Sequence, residues 1–211
     1  MNEPESTVLV VDDDDSFRRS LERLLHSVSL GVETFSSAQE FMRRPAPDGP
    51  ACLILDMRMP GMSGLEVQQG LVANGQSLPI IFLTGHATVP MSVRALKTGA
   101  IDFLQKPVED QLLLDTTHQA LEQDRRAKAQ QTEHARLQRW ADTLTPRERD
   151  VFGLVVTGLV NKEIAAVLGT SEKTVKIQRG RLMQKMHAPS LPHLVRMADQ
   201  LGLGLLTSKS T

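Results

Sequence analysis

At 211 residues the chain has room for one large domain or two modest ones, and its formal net charge of −1 conceals an uneven distribution. Residues 1–121 carry 9 Lys and Arg against 16 Asp and Glu, and residues 122–211 carry 15 against 9, so a net −7 faces a net +6. The asymmetry predicts an acidic domain followed by a basic one suited to a polyanion, and a single cysteine, Cys52, excludes a disulfide framework and a cysteine-ligated metal.

The opening MNEPEST has none of the charged-then-apolar plan of a signal peptide, and no apolar run approaches the roughly 20 residues that span a bilayer. The expectation is a soluble, cytoplasmic protein without a membrane partner. From residue 8, short apolar runs alternate with helical patterns: VLVV (8–11), VETF (32–35), CLIL (52–55), PIIFL (79–83) and AIDFL (100–104). Such runs predict strands buried on both faces, and the segments between them are long enough for crossover helices. SFRRSLERLLHSV places Phe17, Leu21, Leu24, Leu25 and Val28 on one stripe, and GLEVQQGLVA carries Leu65, Val67 and Leu71. Together they predict a doubly wound, five-stranded parallel sheet.

Ligands of such sheets gather at the carboxyl ends of the strands. The first strand runs into Asp12 and Asp13, the third into Asp56, the fourth into Thr84 and the fifth into Lys106. Each taken singly reads as a solvated loop or turn residue; taken together they form an all-oxygen acidic site with one hydroxyl and one ammonium. Clustered carboxylates suit a hard cation, Mg²⁺ or another divalent ion such as Mn²⁺, held by Asp12, Asp13 and Asp56. A carboxylate can also attack phosphorus, with Lys106 stabilising the transferring charge and Thr84 donating to the product. Asp14 and Asp15 are expected to open the helix that begins near Phe17.

VVDDDD, LDMRMPGMSGLE and IIFLTGHATVPMSVRALKTGAIDFLQKP resemble the receiver domain of two-component response regulators over roughly residues 5–121. The resemblance implies the flavodoxin-like fold and makes Asp56 the phosphoacceptor, Asp12 and Asp13 the acidic pair, Thr84 the switch hydroxyl and Lys106 the family's lysine. It further implies a cis Lys106-Pro107 peptide, a metal contact from the backbone carbonyl of Arg58, and Phe103 as the aromatic that repacks with Thr84. No catalysis is expected beyond phosphorylation and autodephosphorylation at Asp56. The face from Arg94 to Lys106 is the expected association surface.

After Pro107 the chain has neither glycine nor proline through Asp142, and EQDRRAKAQQTEHARLQRW is rich in helix formers. A final receiver helix from about Glu109 therefore continues into, or is followed by, an exposed helical linker, placing the divisions at 1–121, 122–142 and 143–211. LTPRERDVF starts a helix with Thr145 as N-cap, Pro146 at the first position and Glu148 closing a capping box. Three further helices are predicted near 161–168, 171–187 and 190–201, giving a small all-α helix-turn-helix domain. The third helix, SEKTVKIQRGRLMQKM, turns Val175, Leu182 and Met186 inward and carries Lys173, Lys176, Arg179, Arg181 and Lys185 against one acid, Glu172. A basic helix is often no more than a solvated face; after a short helix and a tight turn it suits the major groove.

LTPRERDVF, GLVNKEIAAVLG and SEKTVKIQRGRLMQKM resemble the DNA-binding domain of the LuxR/NarL group, and with RMPGMSG, LTGHATVP and DFLQKP the chain looks most like the FixJ branch. By that resemblance Lys176, Ile177 and Gly180 face bases and Arg179 approaches a phosphate, within a contact set of Lys173, Thr174, Lys176, Ile177, Arg179, Gly180, Arg181 and Lys185. Three positions depart from the family's pattern. Val160 stands where a Ser or Thr usually caps, leaving Asn161 to cap instead; Gln178 replaces a common His; and Gly180 removes a side chain from the recognition surface. The implied partners are a sensor histidine kinase, double-stranded promoter DNA, RNA polymerase and, on phosphorylation, a second copy of the chain. Two other functions fit the parts less well: a phosphorylation-independent DNA-binding regulator, and a Mg²⁺-dependent aspartyl-phosphate phosphotransferase.

Overall fold

The computed structural model describes residues 6–85, 93 and 95–203. The chain divides into two compact units, residues 1–128 and 129–211.

In the first unit, strands β1 (Thr7–Val11), β2 (Gly31–Phe35), β3 (Ala51–Asp56), β4 (Ile80–Thr84) and β5 (Asp102–Gln105) form a parallel sheet in the order β2-β1-β3-β4-β5. The expectation of burial on both faces holds for the three inner strands. It fails for β2 and β5, which are only partly buried because each is an edge of the sheet. Successive side chains alternate between two cores. Val8, Val10, Cys52 and Ile54 pack with Leu21 and Leu25 of α1 (Asp15–Ser27), whereas Leu9, Val11, Leu53 and Leu55 pack with Phe41 of α2 (Ala38–Met42) and Val67 and Leu71 of α3 (Gly64–Ala73). Asp14 caps α1 by accepting from the amides of Ser16 and Phe17 at 2.9 and 3.1 Å, and Asp15 is its first residue. The short α2 was not legible in the sequence.

The last helix expected of the first domain and the linker are one element, α4 (Asp110–Asp142). Leu113, Ala120 and Leu121 join the first core. Beyond residue 121 the helix is not simply an exposed spacer. The buried carboxylate of Asp124 accepts from the amide of Ala51 at 2.8 Å, at the start of β3. Lys128 then pairs with Asp124 at 3.1 Å and donates to the carbonyls of Pro47 and Gly49 at 3.1 and 2.5 Å. These contacts carry the first unit to Lys128.

The second unit contains α5 (Pro146–Val155), α6 (Asn161–Leu168), α7 (Glu172–Lys185) and α8 (Leu191–Gln200) around a core that includes Leu137, Val151, Phe152, Ile164, Val175, Leu182 and Leu194. Thr145 and Glu148 close the predicted capping box of α5. The N-cap of α6 differs from expectation. Val160 occupies it and offers no side-chain acceptor; only the return bond is made, from the Val160 amide to Glu163 at 2.8 Å. Asn161 is the first helical residue and does not cap. Restoring the missing acceptor with Val160→Ser is expected to stabilise the second unit by about 1 kcal/mol, since Val160 is 58 % exposed and little burial is lost. Urea unfolding of the two proteins measures the difference.

Candidate functional site

The register of the sheet assembles the acidic site. Val11 lies beside Leu55, so Asp12 and Asp56 leave adjacent strands side by side; Thr84 is level with Gln105, which puts Lys106 next in line. The Lys106 amide donates to the Thr84 carbonyl at 2.8 Å, the Lys106-Pro107 peptide is cis, and the side chain turns back across the strand ends. Its ammonium contacts Asp12 Oδ2 at 2.5 Å and Asp56 Oδ1 at 2.7 Å while lying 4.2 Å from the centre of the Phe17 ring. The other carboxylate oxygens take backbone donors: the Asp14 amide reaches Asp12 Oδ1 at 3.0 Å, and the Arg58 amide reaches Asp56 Oδ2 at 2.7 Å.

Asp12, Asp56 and Thr84 are buried, with 1 %, 6 % and 1 % exposure. Asp13 is exposed, and among the described residues no three His, Cys, Asp or Glu side chains are gathered closely enough to share a metal. The structure thus brings Asp12 and Asp56 together and leaves Asp13 at the rim. Arg58 meets Asp56 through its amide. Phe103 is half-buried, its ring tilted against Phe82 with centres 6.5 Å apart.

One ammonium between two buried carboxylates leaves the site with net negative charge. Burial pushes the Asp12 carboxyl above its ordinary value, outweighing the bonds from Lys106 and Asp14 that lower it. Burial alone would lower the Lys106 ammonium, but its bonds to Asp12 and Asp56 raise it. An all-oxygen, net-negative pair fits Mg²⁺, which uses one or two protein carboxylates and keeps several waters.

Gly64, which the sequence reading passed over, is part of the support. A Cβ there would stand 2.7 Å from the Asp56 carbonyl oxygen and 3.0 Å from the Phe82 ring. Arg18 also went unnoticed; its guanidinium donates to the Asp12 carbonyl at 2.6 Å. The only local signal for either was a glycine after Ser63 and an arginine one turn into α1.

In the second unit, α7 begins at a Ser171 cap that accepts from the Thr174 amide at 3.1 Å, and the Ser171 and Thr174 hydroxyls are 2.9 Å apart. Lys173, Lys176, Ile177, Gly180 and Arg181 are exposed, Ile177 by 50 %, and nothing lies within 4 Å of where a Gly180 side chain would begin. Two of the cations in the expected contact set also have protein partners. Lys185 donates to Glu148 at 2.6 Å and to the Thr143 carbonyl at 3.0 Å, and this bond holds the buried Glu148 carboxyl below its ordinary value, aided by the Thr145 amide. Arg179 donates to Asn161 Oδ1 at 3.2 Å. Gln178 has a buried Oε1 without a hydrogen-bond partner and falls between Val175 and Leu182 on the inward side of the helix.

Residues 8–118 match the model of the response regulator receiver domain, and residues 142–198 match that of bacterial regulatory proteins of the luxR family. Nodulation protein W of Bradyrhizobium diazoefficiens is 50 % identical over 97 % of this chain and 90 % of its own length. The transcriptional regulatory protein FixJ of Azorhizobium caulinodans is 42 % identical over 95 % of each. Among solved structures, response regulator StyR superposes with a TM-score of 0.84 at 45 % identity, covering 93 % of this chain and 99 % of that one. Full-length FixJ from B. japonicum gives 0.57 at 38 %, covering 93 % and 97 %.

The raised Asp12 carboxyl has a measurable consequence. A folded state that binds this proton more tightly than the unfolded chain loses stability as pH rises above the ordinary aspartate value of 3.8. Asp12→Asn is therefore expected to raise the unfolding temperature at pH 7, with the advantage disappearing below that value. Thermal unfolding across pH measures both.

Proposed function

The chain belongs to the response regulators, with a receiver domain and a luxR-type DNA-binding domain as in the FixJ proteins, and on that premise we propose that phosphorylation of Asp56 by a sensor histidine kinase switches its binding to promoter DNA. The observation that carries this reading is the shared hold of Lys106 on Asp12 and Asp56. In the proposed step an Asp56 oxygen attacks the phosphorus of a phosphohistidine. The new O–P bond forms as the N–P bond breaks, and the imidazole nitrogen keeps the electron pair. Lys106, already beside the attacking oxygen, balances charge on the transferring group.

Asp12 and Asp56 would hold a Mg²⁺ or Mn²⁺ ion, with Asp13 and the Arg58 carbonyl beside them; when bound, it supplies charge neutralisation at the phosphoryl oxygens. The aspartyl phosphate carries about −1.5 to −2 charge where the carboxylate carried −1, and it presents three acceptor oxygens. The Thr84 hydroxyl then donates to them, and Phe103 repacks against the space left behind. In autodephosphorylation water attacks the phosphorus, the O–P bond to Asp56 breaks with the electron pair returning to the carboxylate, and inorganic phosphate leaves; no other turnover is proposed.

In the proposed division of labour residues 1–121 are the receiver, 122–142 the linker, whose first turns to Lys128 pack on the first unit, and 143–211 the DNA-binding domain. Phosphorylation favours a homodimer through the receiver face ending at Lys106; Arg94, at the other end of that face, lies outside the described residues. Two basic domains held together bind adjacent half-sites at raised effective concentration, with Lys173, Thr174, Lys176, Ile177, Gly180 and Arg181 turned to the groove and RNA polymerase recruited nearby. The proposed site of action is the cytoplasm; no helix among the described residues is long and apolar enough to cross a membrane.

Intact mass after incubation with a small acyl phosphate tests the chemistry. One phosphoryl adduct is expected, dependent on a divalent cation and absent from Asp56→Asn. No adduct on the folded, metal-supplied protein would move the reading to a phosphorylation-independent DNA-binding regulator.

A further inference from the structure

The two partnered cations of α7 are held differently. Lys185 meets a carboxylate, Glu148, at 2.6 Å, so its charge is compensated inside the protein. Arg179 meets the neutral amide oxygen of Asn161 at 3.2 Å, across 18 residues of chain, and makes no ion pair among the described residues. Its position and charge are thus separated: one N–H is fixed by the protein, while the positive charge and the other donors of the guanidinium remain available to an anion.

Arg179 stands on the border of two faces. It follows Val175, on the inward face, by four residues and Lys176, on the exposed face, by three, so it flanks the basic surface and lies toward α6. Asn161 is free to hold it because of the way α6 starts. With Val160 as N-cap and Glu163 closing on the Val160 amide, the Asn161 side chain has no capping duty.

We propose that Asn161 is a positioning residue that aims the Arg179 guanidinium at a backbone phosphate of duplex DNA. This rests on the reading of α7 as the DNA-contacting helix. A phosphate contact carries no base information, so any duplex serves as the probe.

The experiment is an anisotropy titration of a fluorescent duplex of arbitrary sequence with the full chain, repeated at several salt concentrations, for the native protein, Asn161→Ala, Arg179→Lys and the double variant. Asn161→Ala is expected to weaken binding roughly 3- to 10-fold, the range of one hydrogen bond, and equally on a second unrelated duplex. In the Arg179→Lys background, which keeps the charge but loses the fork, the Asn161 substitution is expected to add nothing, with unfolding temperatures unchanged. Independent, multiplying losses from the two substitutions, or no loss from Asn161→Ala while the native chain binds, would overturn the proposal. Absence of duplex binding by the native chain would instead remove the DNA-contacting reading of α7 beneath it.

Discussion

A single ammonium, that of Lys106, faces two buried carboxylates, and the first unit is arranged around that imbalance. Removing either carboxylate would relieve repulsion and desolvation, yet the sheet holds both in place: Asp12 and Asp56 leave neighbouring strands in register, and Lys106 is returned to them from the far side of β4. Buried charges left partly compensated cost stability. Sites kept at such a cost are typically functional, because the missing positive charge is supplied by what binds there. A divalent cation and a transferring phosphoryl group, one positive and one drawn to positive charge, are complementary to what this site lacks and what it offers.

The same reasoning separates the cations of the second unit. A positive side chain contributes to binding a polyanion only to the extent that its charge is not already met within the protein. Lys185 ties α7 to Glu148 and so to the start of α5, which makes it part of the domain's internal structure. Lys173, Lys176 and Arg181 are exposed along one side of the helix, with Ile177 and the bare backbone at Gly180 among them. Two carboxylates thus meet at the strand ends of the first unit, and uncompensated positive charge is displayed on a helix of the second.

Much of this was legible in the sequence, for physical reasons. Inner strands announce themselves as continuous apolar runs because both faces are covered, and strand-end residues could be gathered because a parallel sheet places all its carboxyl ends on one edge. What escaped depended on long-range partners. The Asp124–Lys128 pair reads locally as an ordinary helix-surface ion pair; its role is set by the Ala51 amide, 73 residues away. Gly64 matters only because the Asp56 carbonyl passes close to it. Asn161 was expected to cap a helix, a local rule, and instead accepts from Arg179 of the next helix. In the run of four aspartates the helix-starting role of Asp14 and Asp15 was legible, but the split into buried Asp12 and exposed Asp13 was not.

On the proposed function, charge added at Asp56 governs what the basic domain does. The most direct measurement is the affinity of the full chain for duplex promoter DNA before and after stoichiometric phosphorylation of Asp56, with sedimentation velocity on the same samples. A tighter complex is expected, by tenfold or more as two linked domains replace one, together with a shift from monomer to dimer. Equal affinity and equal sedimentation in the two states would contradict it.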